Sequence, residues 1–202
     1  MSAPKFVGAP LRILDFDVEC RPLSWYGGDW VTKEITAVAC QWLDRQKAEV
    51  WLLTEEPGSM LAMLTSFRER YYLADMVTGH FIRGFDLPLM NGMMIDNGME
   101  PLAKKLSHDT KLDLMKMQGL SKSQENLAAL LGLKHPKVNM NQALWREANR
   151  LTPEGIAHTR KRVVGDVKQH IEMRARLLEL GMLGPPKLWA PGAGGKSAGY
   201  EA

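Results

Sequence analysis

The chain has 202 residues, 45% of them hydrophobic against 24% charged, with a formal net charge of +3. That is enough for one sizeable domain with its own core, and too little positive charge to signal nucleic-acid binding by itself. The two cysteines, Cys20 and Cys40, form no Cys-x-x-Cys pair, and no Gly-rich phosphate loop is present, which argues against a structural zinc and against a nucleoside-triphosphate engine. With no signal peptide or long apolar span, a reduced cytoplasmic setting is expected.

Taken in chain order, the apolar run 11–18 reads as a first strand and ends in Phe16-Asp17-Val18-Glu19. Alternate side chains of a strand share a face, so Asp17 and Glu19 point the same way. They can grip a divalent cation together, or stand as ordinary strand-end and solvated residues. The loop 21–30 carries three aromatics, of which Trp25 and Tyr26 suit stacking on terminal bases or packing over the sheet edge. Further strands are expected over 36–43, 48–53 and 76–79, with a helix over 59–71 between the third and fourth.

Gly79-His80-Phe81-Ile82-Arg83-Gly84-Phe85-Asp86-Leu87-Pro88 then delivers a carboxylate where a helical pattern begins, so Asp86 is expected at a strand-to-helix junction. A short strand or turn is expected over 108–112, followed by helical 114–117. Asp109 and Asp113 there are spare carboxylates, and Asp109 reads as a capping or supporting group. A helix over 123–131 stops at Gly132, and Thr152-Pro153 opens a long last helix running to about residue 180. Within it Asp166 is flanked by apolar residues and needs a partner, either a metal ion or an Arg from a neighbouring element. The basic stretch Arg160-Lys161-Arg162, with Lys168, Arg174 and Arg176 beyond, is a solvated face or a phosphate-facing one. Residues 187–202, rich in glycine, read as a flexible tail after a single domain over 1–186.

In order, Asp17, Glu19, Asp86 and Asp166 resemble the four-carboxylate signature of the DEDD, or DnaQ-like, 3′-5′ exonucleases of the ribonuclease H-like superfamily. The similarity is greatest to the proofreading exonuclease domain of family B DNA polymerases and its stand-alone relatives, some of them phage-encoded. Phe-Asp-x-Glu at 16–19, the Gly-His-x-Ile-x-x-Phe-Asp-x-Pro stretch at 79–88 and the Asp-Val at 166–167 carry the resemblance. It implies an α/β, ribonuclease H-like fold with a five-stranded mixed sheet between helices. It further implies two Mg²⁺ or Mn²⁺ ions held by the four carboxylates, acting on phosphodiester bonds at a single-stranded 3′ end, DNA more than RNA. A polymerase or replication partner, no membrane, and a cytoplasm that is a phage-infected bacterium's in some relatives complete the expectation.

Two departures stand out. Where one branch of the family carries Tyr four residues before the last Asp, this chain has Arg162; where the other carries His five residues before, it has Lys161. The Asn that commonly follows Gly-His is Phe81. Such a Tyr or His orients and helps deprotonate the attacking water, a contribution of roughly a hundred- to ten-thousand-fold. Candidates to replace it are Lys161, His158 and His170, the last one helical turn after Asp166 and on its face. Phe85, Arg162, Trp25 and Tyr26 are the expected substrate contacts. The alternatives are a nucleic-acid-binding module that kept the cage but lost efficient catalysis, and an RNA-directed 3′-5′ exoribonuclease.

Overall fold

The computed structural model describes residues 10–22, 33–135 and 138–192. Its centre is strand β1 (Ile13–Pro22), whose sequence alternates between two functions. Leu14, Phe16 and Val18 are buried on one face, while Asp15, Asp17 and Glu19 occupy the other. On the apolar face, Phe16 meets Phe67 at 5.0 Å between ring centroids. Phe67, Met63, Leu64 and Tyr71 come from helix α1 (Ser59–Leu73), and Leu87, Met90 and Met94 from helix α2 (Asp86–Asp96); all share one core with β1. Burying such side chains contributes about 1.5–3 kcal/mol each, and this is what fixes the register of β1.

β1 pairs antiparallel with β2 (Lys33–Trp42), which pairs antiparallel with β3 (Glu49–Leu52). On its other side β1 runs parallel to β4 (Met76–Gly79), and β4 parallel to β5 (Lys105–Asp109). The result is an α/β, ribonuclease H-like mixed sheet in the order β3-β2-β1-β4-β5-β6. It has six strands where five were expected. The addition is β6 (Lys187–Trp189), antiparallel to β5, formed by residues expected to begin a tail. Trp189 is buried in the main core, which explains why the chain keeps its order past Pro185-Pro186. The rest of the expected tail, from residue 193, lies outside the described residues, as do Trp25 and Tyr26.

The second layer is built on helix α5 (Pro153–Glu179), capped by Thr152, whose side chain accepts from the Gly155 N–H. It lies against β1 and β2, where Ala37 and Ala39 pack with Val163 and Val167. Two alanines on the strand let the helix axis come close, which is why α5 rather than a loop covers the polar face of β1. Helices α3 (Gln124–Leu130) and α4 (Gln142–Asn149) buttress it. The sequence reading did not foresee α4, although Asn141 gives a capping signal: its side chain accepts from the Leu144 N–H at 2.9 Å. The expected helical turn at 114–117 is instead a run of turns, with Leu114 buried against α3 and α5. Among the described residues, no helix is long and apolar enough to cross a membrane.

Candidate metal centre

Two periodicities coincide where α5 crosses β1. Two residues along a strand advance about 6.6 Å and four along a helix advance about 6.0 Å, so every second residue of β1 can meet every fourth of α5. Three such rungs form. His170 Nδ1 lies 2.6 Å from Asp15 Oδ2, Asp166 stands beside Asp17, and Arg162 donates to Glu19 through a short Nε hydrogen bond. The outer rungs join an acid to a nitrogen-bearing side chain and the middle rung sets acid against acid.

Ligand oxygens of Asp17, Glu19 and Asp166 all lie within 4.8 Å of one another. Two ionised carboxylates about 4 Å apart repel by roughly 4 kcal/mol at an effective dielectric of 20. Burial pushes the Asp17 carboxyl well above the usual carboxylate range, and Asp86, Glu19 and Asp166 push it the same way. Such a set is relieved by protonation or by a cation. All the donors are hard oxygens at spacings an ion with metal–oxygen distances of about 2.0–2.2 Å can bridge, so the residues fit Mg²⁺ or Mn²⁺.

Asp86 approaches from the other side. It is the first residue of α2, 3% exposed, and its Oδ1 accepts from the Val18 N–H at 3.2 Å. That bond ties it to β1 between Asp17 and Glu19. Burial raises its carboxyl to about 8, against the lowering effect of the Val18 N–H. The register of β1 against β2 also shifts between Glu19 and Cys20. Bulges of this kind re-aim side chains at sheet ends, here the one that begins at Glu19.

The turn from β4 to α2 is held by Asp109, which is wholly buried. Its oxygens accept from the N–H groups of Phe81, Arg83, Lys111 and Leu112 at 2.9–3.1 Å. Asp113 supports it in turn, accepting from the Asp109 N–H at 2.9 Å, from Arg83 Nη2 at 2.5 Å and from Lys187 Nζ at 2.7 Å. Burial alone would raise the Asp113 carboxyl, but these donors hold it below its ordinary value. The turn requires Phe81 at φ 70°, a left-handed conformation in which Asn is several-fold enriched.

These elements enclose an open cleft of about 300 Å³ lined by Asp17, Glu19, Asp86 and Asp166, with Arg162 and Phe85 on its walls. The structure thus brings together six of the residues picked out in the sequence. Lys161 points outward and is exposed, and His158 is half-buried and does not line the cleft. His170 keeps the face of Asp166 but is 2% exposed, and both its ring nitrogens are engaged, Nδ1 by Asp15 and Nε2 by Thr110 Oγ1 at 2.9 Å. It is a buried structural partner and not a residue that faces the cleft. Burial also pushes up the Asp15 carboxyl, and His170 partly offsets this.

His80 and Lys111 line the cleft and were not singled out from the sequence. His80 Nδ1 is 2.9 Å from the same Thr110 hydroxyl that meets His170. One hydroxyl proton can serve only one of the two rings, so Thr110 accepts from the other. Lys111 Nζ lies 4.0 Å from the centroid of the Phe81 ring, and Lys33 Nζ 4.6 Å from that of Phe85. Of the basic stretch on α5 only Arg162 reaches the cleft. Arg174 is buried beside His108, and Arg176 pairs with Glu179.

No protein-family model matches the chain, and no curated protein does. Among solved structures it is similar to the family B DNA polymerase from the hyperthermophilic archaeon Pyrobaculum calidifontis, with a TM-score of 0.65 over 86% of this chain and 16% identity. The matched part is 25% of the polymerase chain. At that identity the likeness establishes a shared fold.

Proposed function

We propose that the chain is a metal-dependent 3′-5′ exonuclease that hydrolyses terminal phosphodiester bonds of single-stranded DNA. The observation that carries this reading is the acid–acid rung, Asp17 against Asp166, flanked by Glu19 and Asp86 and opening on a cleft. An arrangement that sets carboxylates against each other at a cost of several kcal/mol is maintained where a cation repays it. The fold shared with a DNA polymerase supports the substrate class, and the motif resemblance to proofreading exonucleases supports the polarity.

Asp17, Glu19, Asp166 and Asp86 would line the cation site, and a divalent cation bound there would lower the pKa of a water and stabilise the charge on the leaving oxygen. The chain's own residues supply the rest. Asp86, fixed to the Val18 N–H, keeps the fourth carboxylate in place without a rotamer search. Phe85 and Phe81, each with a lysine over its ring, form an aromatic and cationic wall suited to a terminal base and its phosphate.

A second reading has one specific observation in its favour. Arg162 already neutralises Glu19, as it would in a module that binds 3′ ends without cutting them. Incubating the purified chain with 5′-labelled single-stranded DNA and RNA, in Mg²⁺, Mn²⁺ or chelator, separates these outcomes. Progressive shortening of DNA that chelator stops supports the exonuclease. Shortening of RNA alone moves the substrate class, and retention of intact DNA in a gel shift supports the binding module.

A further inference from the structure

Arg162 is seated more firmly than a chance surface ion pair. Its Nε donates to Glu19, its Nη1 donates to the Val138 carbonyl at 3.0 Å, and its Nη2 lies 3.5 Å from Asp166 Oδ2. Its guanidinium carbon sits 5.2 Å from the centroid of the Trp145 ring. Two of these partners, a carbonyl and an indole on the α4 side, are not acids. They hold the cation from behind while it faces the carboxylates, and the side chain is only 14% exposed. Four residues from Asp166 on α5, it leans from its own rung toward the like-charged one.

We infer that the Arg162 guanidinium takes the place of one of the two divalent cations, so that the site binds a single ion, held by Asp17 and Asp166, while Glu19 stays with Arg162. This rests on the cation site proposed above. A divalent ion that takes Glu19 Oε1 must displace the Arg162 Nε–H, and it would leave the guanidinium partly desolvated between the Val138 carbonyl and the Trp145 ring. Removing one partner of such a pair is the costly case. Replacing the arginine by a neutral residue should therefore open Glu19 as a ligand and admit a second ion.

The test counts ions without reference to activity. The metal-free 202-residue chain is titrated with Mn²⁺ by calorimetry, with bound and free Mn²⁺ resolved by electron paramagnetic resonance. Wild type and Arg162→Lys should bind one ion per chain, and Arg162→Gln two. Arg162→Met, which retains the aliphatic stem against Trp145, serves if the Gln variant does not fold, and should also bind two. Two ions in the wild type, or one ion in both wild type and the neutral variant, overturns the inference while leaving the proposed function standing. No bound ion in any of them overturns the metal-dependent reading itself, and this inference with it.

Discussion

His170 Nδ1 and Asp15 Oδ2, 2.6 Å apart at the closed end of the β1–α5 crossing, form the most deeply buried of three rungs. With Arg162 and Glu19 at the open end, they pin the helix at both sides of the like-charged pair. The middle carboxylates cannot drift apart unless a paired rung breaks. A one-residue slip of β1 would bring Leu14, Phe16 and Val18 against α5 and put three acids into the apolar core, so the register is strongly determined. The hydrogen-bonded rungs at the ends thus hold in place the repulsion at the centre.

Thr110→Val should destabilise the protein by about 1–3 kcal/mol, because it leaves a buried His170 nitrogen without its hydroxyl partner. Thr110→Ser should recover most of the loss. Urea unfolding of the three proteins checks this, and a Val variant as stable as wild type would show that the hydroxyl contributes nothing.

The pH dependence of the metal-free protein follows from Asp86. Its carboxyl is raised in the fold to about 8, so between about pH 4 and that value the folded state holds a proton that the unfolded chain has released. Stability is then greatest at the acid end of this window and falls as pH rises through it. Asp86→Asn keeps an oxygen for the Val18 N–H and removes the ionisation. Its melting temperature in chelator should decline less with pH than that of wild type and exceed it by several degrees at the alkaline end. Parallel curves for the two proteins would refute this.

Gly79→Ala tests the junction between β1, β4 and the turn to α2. A Cβ there would lie 2.3 Å from Ile82 Cγ2 and 2.7 Å from the Phe16 carbonyl oxygen. Neither neighbour can yield cheaply, since one is wholly buried and the other is backbone. A loss of at least about 1–3 kcal/mol is expected, together with weaker Mn²⁺ binding as the turn carrying Asp86 moves. Gly92→Ala is the control, because a Cβ there meets nothing within 4 Å.

Burial pushes the Cys40 thiol up to about 12, so its thiolate is scarce near neutral pH. Cys40 lies in the core and is unexposed. In the native protein at about pH 8 a disulfide-exchange reagent should leave Cys40 unmodified, and it should react only in denaturant. Mass mapping of the labelled cysteine decides the point. Rapid native labelling of Cys40 would contradict its placement in β2.

The carboxylates were legible because a strand's alternation and a helix junction are local properties. Asp17 and Glu19 share a face by geometry alone, and Asp86 begins α2 where the apolar pattern turns helical. Arg162 was legible by position, being one turn from Asp166, but its partners Glu19, Val138 and Trp145 come from distant segments that only the packing of α5 unites. Asp15 was overlooked although it shares the face of Asp17, because no motif marks it; its rung with His170 depends on the matched advance of strand and helix. Phe81 illustrates the converse. The sequence showed an unusual residue at a motif position, but not that its backbone adopts a positive φ.

The short strand β6 has a consequence outside the cleft. Its antiparallel pairing with Lys105, Leu106 and Ser107 covers the outer border of β5, and Lys187 reaches Asp113 beneath the turn that aims Asp86. A chain cut before residue 187 would keep every carboxylate of the centre yet bare a row of unmatched peptide groups beside the half-exposed Leu106. Such a border recruits strands from other copies. Residues 187–189 thus protect the protein from self-stacking, and their loss would show first as turbidity and only later as lost chemistry.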